Sequence, residues 1–349
     1  MRGVGVEDEE PMGDRWQARE CAPEQGAATV PMRNFCTLFD ANYLTRGVLM
    51  HRSLMEAGEP FTLYVVCFDP LSLQVLQRLA LPHLVPIALE EFESPPLREV
   101  KKSRSRAEYC WTCASHVIRY VLERFRLEEV TYLDADLFFY RPPSSVLAEY
   151  DATEGSVLLT EHRFAPLFES HLEYGRYCVQ FVTFRNDRRG REALDWWCER
   201  TLEWCHDRLE DGRFGDQKYL DDWLERFEGV RVSSHIGAGV ANWNVRQYRV
   251  AGSSEAPTVD GVPVLFFHFH MVKLFVSGRI DLGYLPLPRE AVEILYLPYL
   301  RRLATVEREV ALLCPGFATA LMPDRHPLAR AISYLYRKAK GNYHVVRVV

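Results

Sequence analysis

The sequence predicts an α/β fold, a mixed and mostly parallel sheet flanked by helices, with a helical C-terminal extension. The main observation is that apolar, β-rich runs alternate with segments of helical periodicity, which is typical of βαβ units. A second observation is the composition. Of the 349 residues, 48% are hydrophobic and 26% are charged, enough to build a substantial core. The length fits one large domain or two smaller ones.

The first half of the chain contains four predicted strands with helices between them. Apolar residues at helical spacing from Leu44 to Met55 predict a helix that Gly58 ends. "LSLQVLQRLA" and the segment from about Glu108 to Phe125 predict two more helices, the second after the basic loop "KKSRSR". The predicted strands are "NFCTLFD" (34–40), "FTLYVVCFD" (61–69), "LVPIAL" (84–89) and "VTYLDADLFFYRPP" (130–143).

The second half contains further strands and a long helix. "GSVLLTE" and "YCVQFVTFRND" are predicted strands, and "FGDQKYLDDWLERF" (214–227) is predicted to be a turn and a helix. "VLFFHFHMVKLF" (264–275) is a predicted strand, and the chain after about residue 284 is predicted to be helical. The long helix carries a core stripe at helical spacing, made of Leu194, Trp197, Thr201, Trp204, Cys205 and Leu209.

These patterns divide the chain into three parts. Residues 1–31 are rich in Gly, Pro, Glu and Ala and are predicted to form a disordered tail. Residues 32–284 hold the predicted α/β domain. Residues 285–349 form a helical extension that becomes basic from Arg325 onward. Its simplest interpretation is a solvated face, and contact with anionic lipid is the alternative.

Composition also limits the class of partner and the compartment. The net charge of −6 gives no basic footprint for nucleic acid. No apolar run approaches the length of a membrane span, and the N-terminal segment lacks the apolar region of a secretory signal. Nine scattered cysteines do not form a disulfide framework. We therefore expect a cytoplasmic protein, peripheral to the inner face of the membrane if its basic C-terminus contacts lipid.

Two carboxylates, Asp134 and Asp136, lie inside an otherwise apolar run. A buried carboxylate without a partner is costly. Side chains at i and i+2 share one face of a strand, and ligands of open α/β sheets bind at the carboxyl ends of the strands. Two adjacent oxygen ligands without a neighbouring Lys or Arg favour a divalent cation such as Mg²⁺ or Mn²⁺. A pair of turn aspartates is the alternative.

Four segments carry a family resemblance. "YLDADLFFYRPP" resembles the D-x-D segment of the GT-A fold glycosyltransferases, especially the retaining enzymes of family 8. "FGDQKYLDDW" resembles the G-D-Q block of that family, and "FFHFHMVKLF" resembles its late H-x-x-G-x-x-K block, with Met271 in place of the Gly. "LFDANYLTRGVLMHRSLMEAG" resembles its first strand and nucleotide-binding turn. The resemblance covers about residues 33–280.

The resemblance implies a nucleotide-diphosphate sugar donor, with UDP-sugars favoured, and a bound metal ion. The implied metal ligands are Asp134, Asp136 and His268, with His270 as the alternate. Because imidazole suits Mn²⁺ better than Mg²⁺, Mn²⁺ is the favoured ion and Mg²⁺ the second. The implied donor-binding residues are Asp40, Asn42, Tyr43, Asp134 and Lys273, with Asn244 as a weaker candidate for the sugar. The family carries an Arg after the Tyr of the helix at "EYCWT", where this chain has Cys110 and Trp111, and Arg106 or Arg104 in the preceding loop is the candidate substitute.

The same resemblance implies that Asp216 and Gln217 are catalytic. A front-face reaction, in which Gln217 positions the donor and Asp216 binds its hydroxyls, is favoured over a double displacement through a carboxylate nucleophile. Two of these segments also fit the ordinary start of a helix, which is the alternative interpretation. Gly215-Asp216 resembles an N-cap, and Asp40 and Asn42 precede a helix.

The predicted function is that of a hexosyltransferase-like enzyme of polysaccharide biosynthesis. It would transfer a sugar with retention to a hydroxyl acceptor on a glycan, a lipid-linked molecule or another compound. Three alternatives stay open at this point: an inverting GT-A transferase with an Asp or Glu as general base, a sugar nucleotidyltransferase, and a non-catalytic carbohydrate-binding protein.

Overall fold

The computed structural model describes residues 32–315, 317, 321–324 and 326–347. The predicted disordered tail, residues 1–31, lies outside the described residues. The strands are β1 Arg33–Phe39, β2 Phe61–Cys67, β3 Leu84–Ala88, β4 Glu129–Leu133, β5 Leu137–Phe139, β6 Val157–Glu161, β7 Tyr177–Arg185, β8 Val230–Val232, β9 Val240–Ala241, β10 Val250–Gly252, β11 Pro257–Val259, β12 Val262–Pro263, β13 Phe266–His268, β14 Lys273–Leu274, β15 Ile280–Asp281 and β16 Val345–Val346.

Helices connect these strands. The α-helices are α1 Leu44–Ala57, α2 Pro70–Leu79, α3 Leu89–Phe92, α4 Pro95–Lys101, α5 Arg106–Arg124, α6 Ser144–Asp151, α7 Arg188–Glu203, α8 Trp223–Arg226, α9 Arg289–Ala291, α10 Leu297–Leu313 and α11 Pro327–Ala339. Short 3₁₀ segments lie at Pro166–Tyr174, Gln217–Leu220 and Val245–Gln247, and a π-helical turn, Val292–Tyr296, joins α9 to α10.

The central sheet has seven strands in the order β3-β2-β1-β4-β7-β6-β8. All neighbours are parallel except β7, which runs antiparallel to both β4 and β6. The prediction of a mixed, mostly parallel sheet is confirmed. Alternate side chains of β1 enter different cores, with Phe35 on one face and Cys36 on the other. This explains why the strand sequences are almost continuously apolar.

Helices cover both faces, as predicted. On one face α1, α2 and α10 contribute Val48, Val75 and Leu303 to the core that contains Phe35. On the other face α5 and α7 contribute Val121 and Trp197. Because α10 packs into the same core as α1, the extension is in part integral to the fold, and the boundary predicted at residue 284 stays a prediction. Within the described ranges, no helix has both the length and the apolar character that a bilayer span requires.

Two predicted elements are shorter than the sequence pattern indicated. The long helix α7 ends at Glu203, because Trp204 adopts an extended backbone. Arg104 donates to the carbonyls of Thr201 and Leu202 at 2.6 Å each and so satisfies the end of the helix. The predicted stripe residues Trp204, Cys205 and Leu209 lie beyond this end and are therefore not helical.

The apolar run 264–275 is also divided, into β13 and β14. A turn at His270 and Met271 separates them, with φ of +68° at Met271. The strand predicted over residues 130–143 is likewise two strands. β4 belongs to the central sheet, whereas β5 pairs with β13 in a small sheet of order β5-β13-β9. The candidate site lies at this small sheet, because β13 carries His268 and the turn before β5 carries Asp134 and Asp136.

Candidate active site

Asp134 and Asp136 lie on the turn between β4 and β5, at the carboxyl end of β4. Asp134 donates its backbone N–H to the carbonyl of Gln180 at 3.0 Å, and the carbonyl of Asp136 accepts from the N–H of Phe269 at 3.0 Å. The prediction that both aspartates lie on one strand face is therefore wrong, because the chain leaves the central sheet after Leu133. The turn instead places both aspartates beside the end of β13.

Three side chains form a compact cluster at this turn. Asp136, His268 and His270 each offer a ligand atom, and these atoms all lie within 4.8 Å of one another. Nε2 of His268 is 3.0 Å from Oδ1 of Asp136 and 3.7 Å from Oδ2 of Asp134. Asp136 and His268 are buried, and His270 is the more exposed of the three. Both histidines, including the alternate His270, thus join Asp136.

Gln180, on β7, orients the central histidine. Its side-chain Oε1 lies 2.7 Å from Nδ1 of His268, which therefore donates its N–H. Nε2 is thereby turned toward the carboxylates. Metal-bound histidines almost always donate their other ring N–H in this way. The sequence analysis did not identify Gln180, which in sequence is only a polar residue within an apolar strand.

Burial and neighbouring charges set the ionisation of the cluster. Burial raises the pKa of Asp134 to about 6, with His268 opposing this shift and Asp136 adding to it. For Asp136, burial is outweighed by the charge and hydrogen bond of His268, which hold the pKa down at about 2. The carboxylates in turn raise the pKa of His268 well above its ordinary value, although burial opposes this. The cluster therefore favours a bound positive charge.

The residues of the cluster fit a divalent metal ion. One or two carboxylates with two imidazoles suit Mn²⁺ better than Mg²⁺, which prefers oxygen ligands. Three buried polar atoms beside the cluster have no hydrogen-bond partner among the residues that the structure describes: Nε2 of Gln180, Oδ1 of Asn242 and Nε1 of Trp243. The ring of Trp243 packs edge-on against both His268 and His270, at 5.3 and 5.6 Å between ring centroids. Such orphaned atoms are expected where a ligand or water completes a site.

The structure brings Asp216 close to the same turn. Asp216 is 6% exposed, and its backbone carbonyl accepts from Nε1 of Trp197 at 3.0 Å. Burial, and then the charge of Asp134, raise the pKa of Asp216 to about 8. Asp216 precedes the 3₁₀ segment Gln217–Leu220, but its side chain makes no capping hydrogen bond. The side chain of Gln217 donates to the carbonyl of Tyr174 at 3.0 Å.

The turn after β1 gathers four of the predicted donor-binding residues. The carboxylate of Asp40 accepts from the backbone N–H of Asn42 at 2.8 Å and of Tyr43 at 3.2 Å, so it braces the start of α1. The side chain of Asn42 also donates to it, and Arg106 forms an ion pair with it. Tyr43 is 43% exposed, and burial of its hydroxyl together with Asp136 raises its pKa to about 12. Tyr43 is therefore near enough to the Asp136 carboxylate to sense its charge.

Arg46 is a second residue that the sequence analysis missed. Its guanidinium is buried and donates to the carbonyls of Asn42 and Val272, at 3.1 and 3.0 Å. It also lies over the ring of Tyr43, 4.6 Å from its centroid. Among the described residues, no carboxylate pairs with it. Asp136 is near enough for Arg46 to help lower its pKa, but the hydrogen bonds of the guanidinium go only to carbonyls. A buried cation with this environment is suited to an anionic ligand.

The other two predicted donor-binding residues, Asn244 and Lys273, lie outside the turn after β1. Asn244 is fully buried, and its amide is occupied by three backbone partners: the N–H of Ala241 and the carbonyls of His162 and Gly239, each at 2.9 Å. Any role for Asn244 in the donor site is therefore indirect. Lys273 is exposed on β14 and is near enough to lower the pKa of His270, after burial and His268.

No protein-family model matches the chain. Two Bacillus subtilis (strain 168) proteins are clear relatives. The uncharacterized protein YfnD is 31% identical over 296 residues, which cover 83% of this chain and 94% of YfnD. The uncharacterized protein YfnF is 33% identical over 255 residues, which cover 70% of this chain and 84% of YfnF.

Among solved structures, the galactosyltransferase LgtC in complex with donor and acceptor sugar analogues is similar, with a TM-score of 0.50. The alignment covers 78% of this chain and 95% of LgtC, at 12% sequence identity. At this identity the likeness concerns the fold. The chain belongs to the family of the Bacillus subtilis proteins YfnD and YfnF, and its fold is similar to that of the GT-A glycosyltransferases.

Proposed function

We propose that this chain is a metal-dependent glycosyltransferase that uses a nucleotide-diphosphate sugar, favouring UDP-sugars, and transfers the sugar with retention to a hydroxyl acceptor. The observation that carries the proposal is the cluster of Asp136, His268 and His270 at the carboxyl end of β4, with Asp134 and Asp216 beside it. The likeness of the fold to LgtC supports the class of reaction. Fold alone does not imply function, so the site carries the argument.

The charges around the cluster favour a diphosphate. When bound, a divalent cation would stabilise the negative charge that develops on the leaving diphosphate. Asp136, His268 and His270 would hold it, with Asp134 at the metal or at the ribose. The buried guanidinium of Arg46 and the exposed ammonium of Lys273 supply positive charge on the protein side. Tyr43 would stack on the base, and Asp40, Asn42 and Arg106 would contact the donor beside it.

Asp216 and Gln217 are the proposed catalytic residues. Burial and the charge of Asp134 raise the pKa of Asp216 to about 8, which favours the protonated form that can both donate to and accept from sugar hydroxyls. Gln217 is held by its bond to Tyr174 and would orient the donor. In the front-face reaction the bond from the anomeric carbon to the phosphate oxygen breaks and the bond to the acceptor oxygen forms on the same face. The acceptor proton passes to the leaving phosphate oxygen.

A screen of UDP- and GDP-sugars for hydrolysis with and without Mn²⁺ tests the proposal. We expect one UDP-sugar to be cleaved in the presence of Mn²⁺ and Asp136→Asn to abolish the activity. Asp211→Asn is the matched control, because the side chain of Asp211 is 81% exposed and pairs only with Arg213 among the described residues. Equal activity of wild type and Asp136→Asn would refute the metal assignment. The anomeric configuration of the product distinguishes retention from inversion.

A further inference from the structure

Helix α11 presents an apolar stripe to solvent. None of its 13 residues is buried. Leu328, Ile332 and Leu335 are 65%, 61% and 66% exposed, and Tyr336 is 61% exposed. Their spacing of four and three residues places them on one face of the helix. A helix that packs on a protein core buries such a face, and here the stripe is left open.

The opposite face of α11 attaches the helix to the protein. Arg337 donates to the two carboxylate oxygens of Asp281, at 2.6 and 3.0 Å, and Tyr334 packs edge-on against Tyr343 with ring centroids 4.8 Å apart. At 3.6 residues per turn, Arg337 lies about 180° from Leu328 around the helix. The helix is therefore held by its polar side, with the apolar stripe turned outward.

Positive charges flank the stripe. Lys338 and Lys340 lie about 90° to 110° on either side of its centre by helical geometry. From Arg325 to Val349 the sequence has six Lys or Arg residues and no Asp or Glu, in a chain whose net charge is −6. An apolar face flanked by Lys is the pattern of helices that lie in the interface of an anionic bilayer.

A cleft of about 320 Å³ lies against the first turns of α11. Its lining includes Arg279, Arg330, Arg347 and the rings of Tyr334 and Tyr343. Arg279 pairs with Asp324 at 3.3 Å. In the part of the chain that the structure describes, Arg330 and Arg347 have no carboxylate partner. By helical geometry Arg330 lies about 180° from the centre of the stripe, so the cleft opens on the attached side of α11 and is not part of the outward surface.

We propose that α11 docks on an anionic lipid bilayer, with its apolar stripe at the headgroup boundary and the flanking Lys338 and Lys340 facing the lipid phosphates. A second copy of the chain is the less suitable occupant, because a symmetric contact through the stripe would bring the flanking lysines of both copies together. This inference does not depend on the proposed enzymatic activity, and its test uses no substrate.

Flotation of the full chain with vesicles tests the proposal. We expect the protein to float with vesicles of phosphatidylcholine and phosphatidylglycerol and not with phosphatidylcholine alone. Each basic residue near an anionic surface contributes about fivefold in binding, so Lys340→Ser, which removes an exposed charge beside the stripe, lowers binding by about that factor and added salt lowers it further. The double variant Ile332→Ser, Leu335→Ser removes the apolar contact and should abolish flotation.

Two control variants match these changes elsewhere on the surface. Leu224→Ser replaces a leucine that is 51% exposed on α8, and Arg188→Ser removes one positive charge from α7. Both should float like wild type. Because all the changed side chains are exposed, thermal melting should be unaltered.

Three outcomes would overturn the proposal. The first is equal flotation of wild type and the double variant, and the second is equal binding to neutral and anionic vesicles. The third is a dimer, measured by light scattering, that the double variant abolishes.

Discussion

The ring of His268 donates its Nδ1–H to the side-chain oxygen of Gln180 across 2.7 Å, and this bond turns Nε2 toward Asp136 at 3.0 Å. The two residues come from different sheets, since Gln180 lies on β7 of the central sheet and His268 on β13 of the small one. The bond thus joins the two sheets at the point where the candidate metal ligands meet. It fixes the orientation of the ring before any ion binds.

Replacing Gln180 should weaken metal binding without changing a ligand. We expect Gln180→Leu to lower the affinity for Mn²⁺ by about 10- to 100-fold, because the ring loses its orienting acceptor. Gln180→Glu keeps an acceptor and should retain more of the affinity. Titration of free Mn²⁺ by electron paramagnetic resonance measures both. Thr183→Val, on the same strand, is the control; wild-type affinity in Gln180→Leu would contradict the orienting role.

Arg46 should contribute to binding of the donor. We expect Arg46→Met to weaken UDP binding in the presence of Mn²⁺ by about tenfold or more, the usual size for a lost hydrogen bond to a charged group. Arg46→Lys keeps the charge but loses the planar fork and should be intermediate. Calorimetric titration with UDP measures the affinity.

Arg52→Met is the matched control for this prediction. Arg52 lies on the same helix but pairs with Glu309, at 2.7 Å. Its loss should leave UDP binding unchanged. If Arg46→Met bound UDP as wild type does, Arg46 would have to be a structural residue that only links Asn42 to Val272.

Most of the fold could be predicted from periodicity because it depends on local patterns. Strands such as β2 are apolar on both faces, and helices such as α5 carry a clear stripe, so the alternation is visible in the sequence. The divisions within 130–143 and 264–275 could not be predicted in this way. Their causes are non-local, since β5 leaves the central sheet to pair with β13, more than a hundred residues away.

The candidate site was predictable where a residue type is itself unusual. A carboxylate such as Asp136 in an apolar run, or His268 between two phenylalanines, indicates chemistry without any knowledge of the fold. Arg46 and Gln180 gave no such signal. Arg46 resembles a solvent-facing residue of an amphipathic helix, but α1 is buried on nearly all sides because α10 covers it. Only the tertiary packing shows that this cation is enclosed.

Met271 holds a backbone conformation that favours glycine. Its φ is +68°, a region that costs a side chain with a Cβ about 1–2 kcal/mol. We expect Met271→Val to lower the free energy of unfolding by about 1 kcal/mol or more, because a β-branched residue fits this region worst. Met271→Gly should stay within about 1 kcal/mol of wild type, since the relief of strain is offset by the more flexible unfolded chain. Urea denaturation measures both variants, and a Val variant as stable as the Gly variant would contradict the assigned backbone.

His116 should make the stability of the protein sensitive to acid. The ring is buried between α5 and α7, where Nε2 donates to the carbonyl of Cys198 at 3.2 Å and Nδ1 accepts from Arg119 at 3.3 Å. Burial, and then the charge of Arg119, lower the pKa of His116 to about 3, from an ordinary value of 6.5. Between these two values the unfolded chain binds a proton at this residue and the folded protein does not. The contribution of His116 to stability is therefore complete above pH 6.5 and is lost as the pH falls toward 3.

His116→Gln removes this titration and should flatten the pH dependence. Wild type and variant should differ in the slope of the free energy of unfolding by up to about 1.4 kcal/mol per pH unit between pH 6 and pH 4, which corresponds to one proton. Above pH 7 the two slopes should be equal. Denaturant titrations at several pH values give the comparison. Identical slopes in the acid range would mean that the folded protein admits a proton at His116, which would require Arg119 to move away from Nδ1.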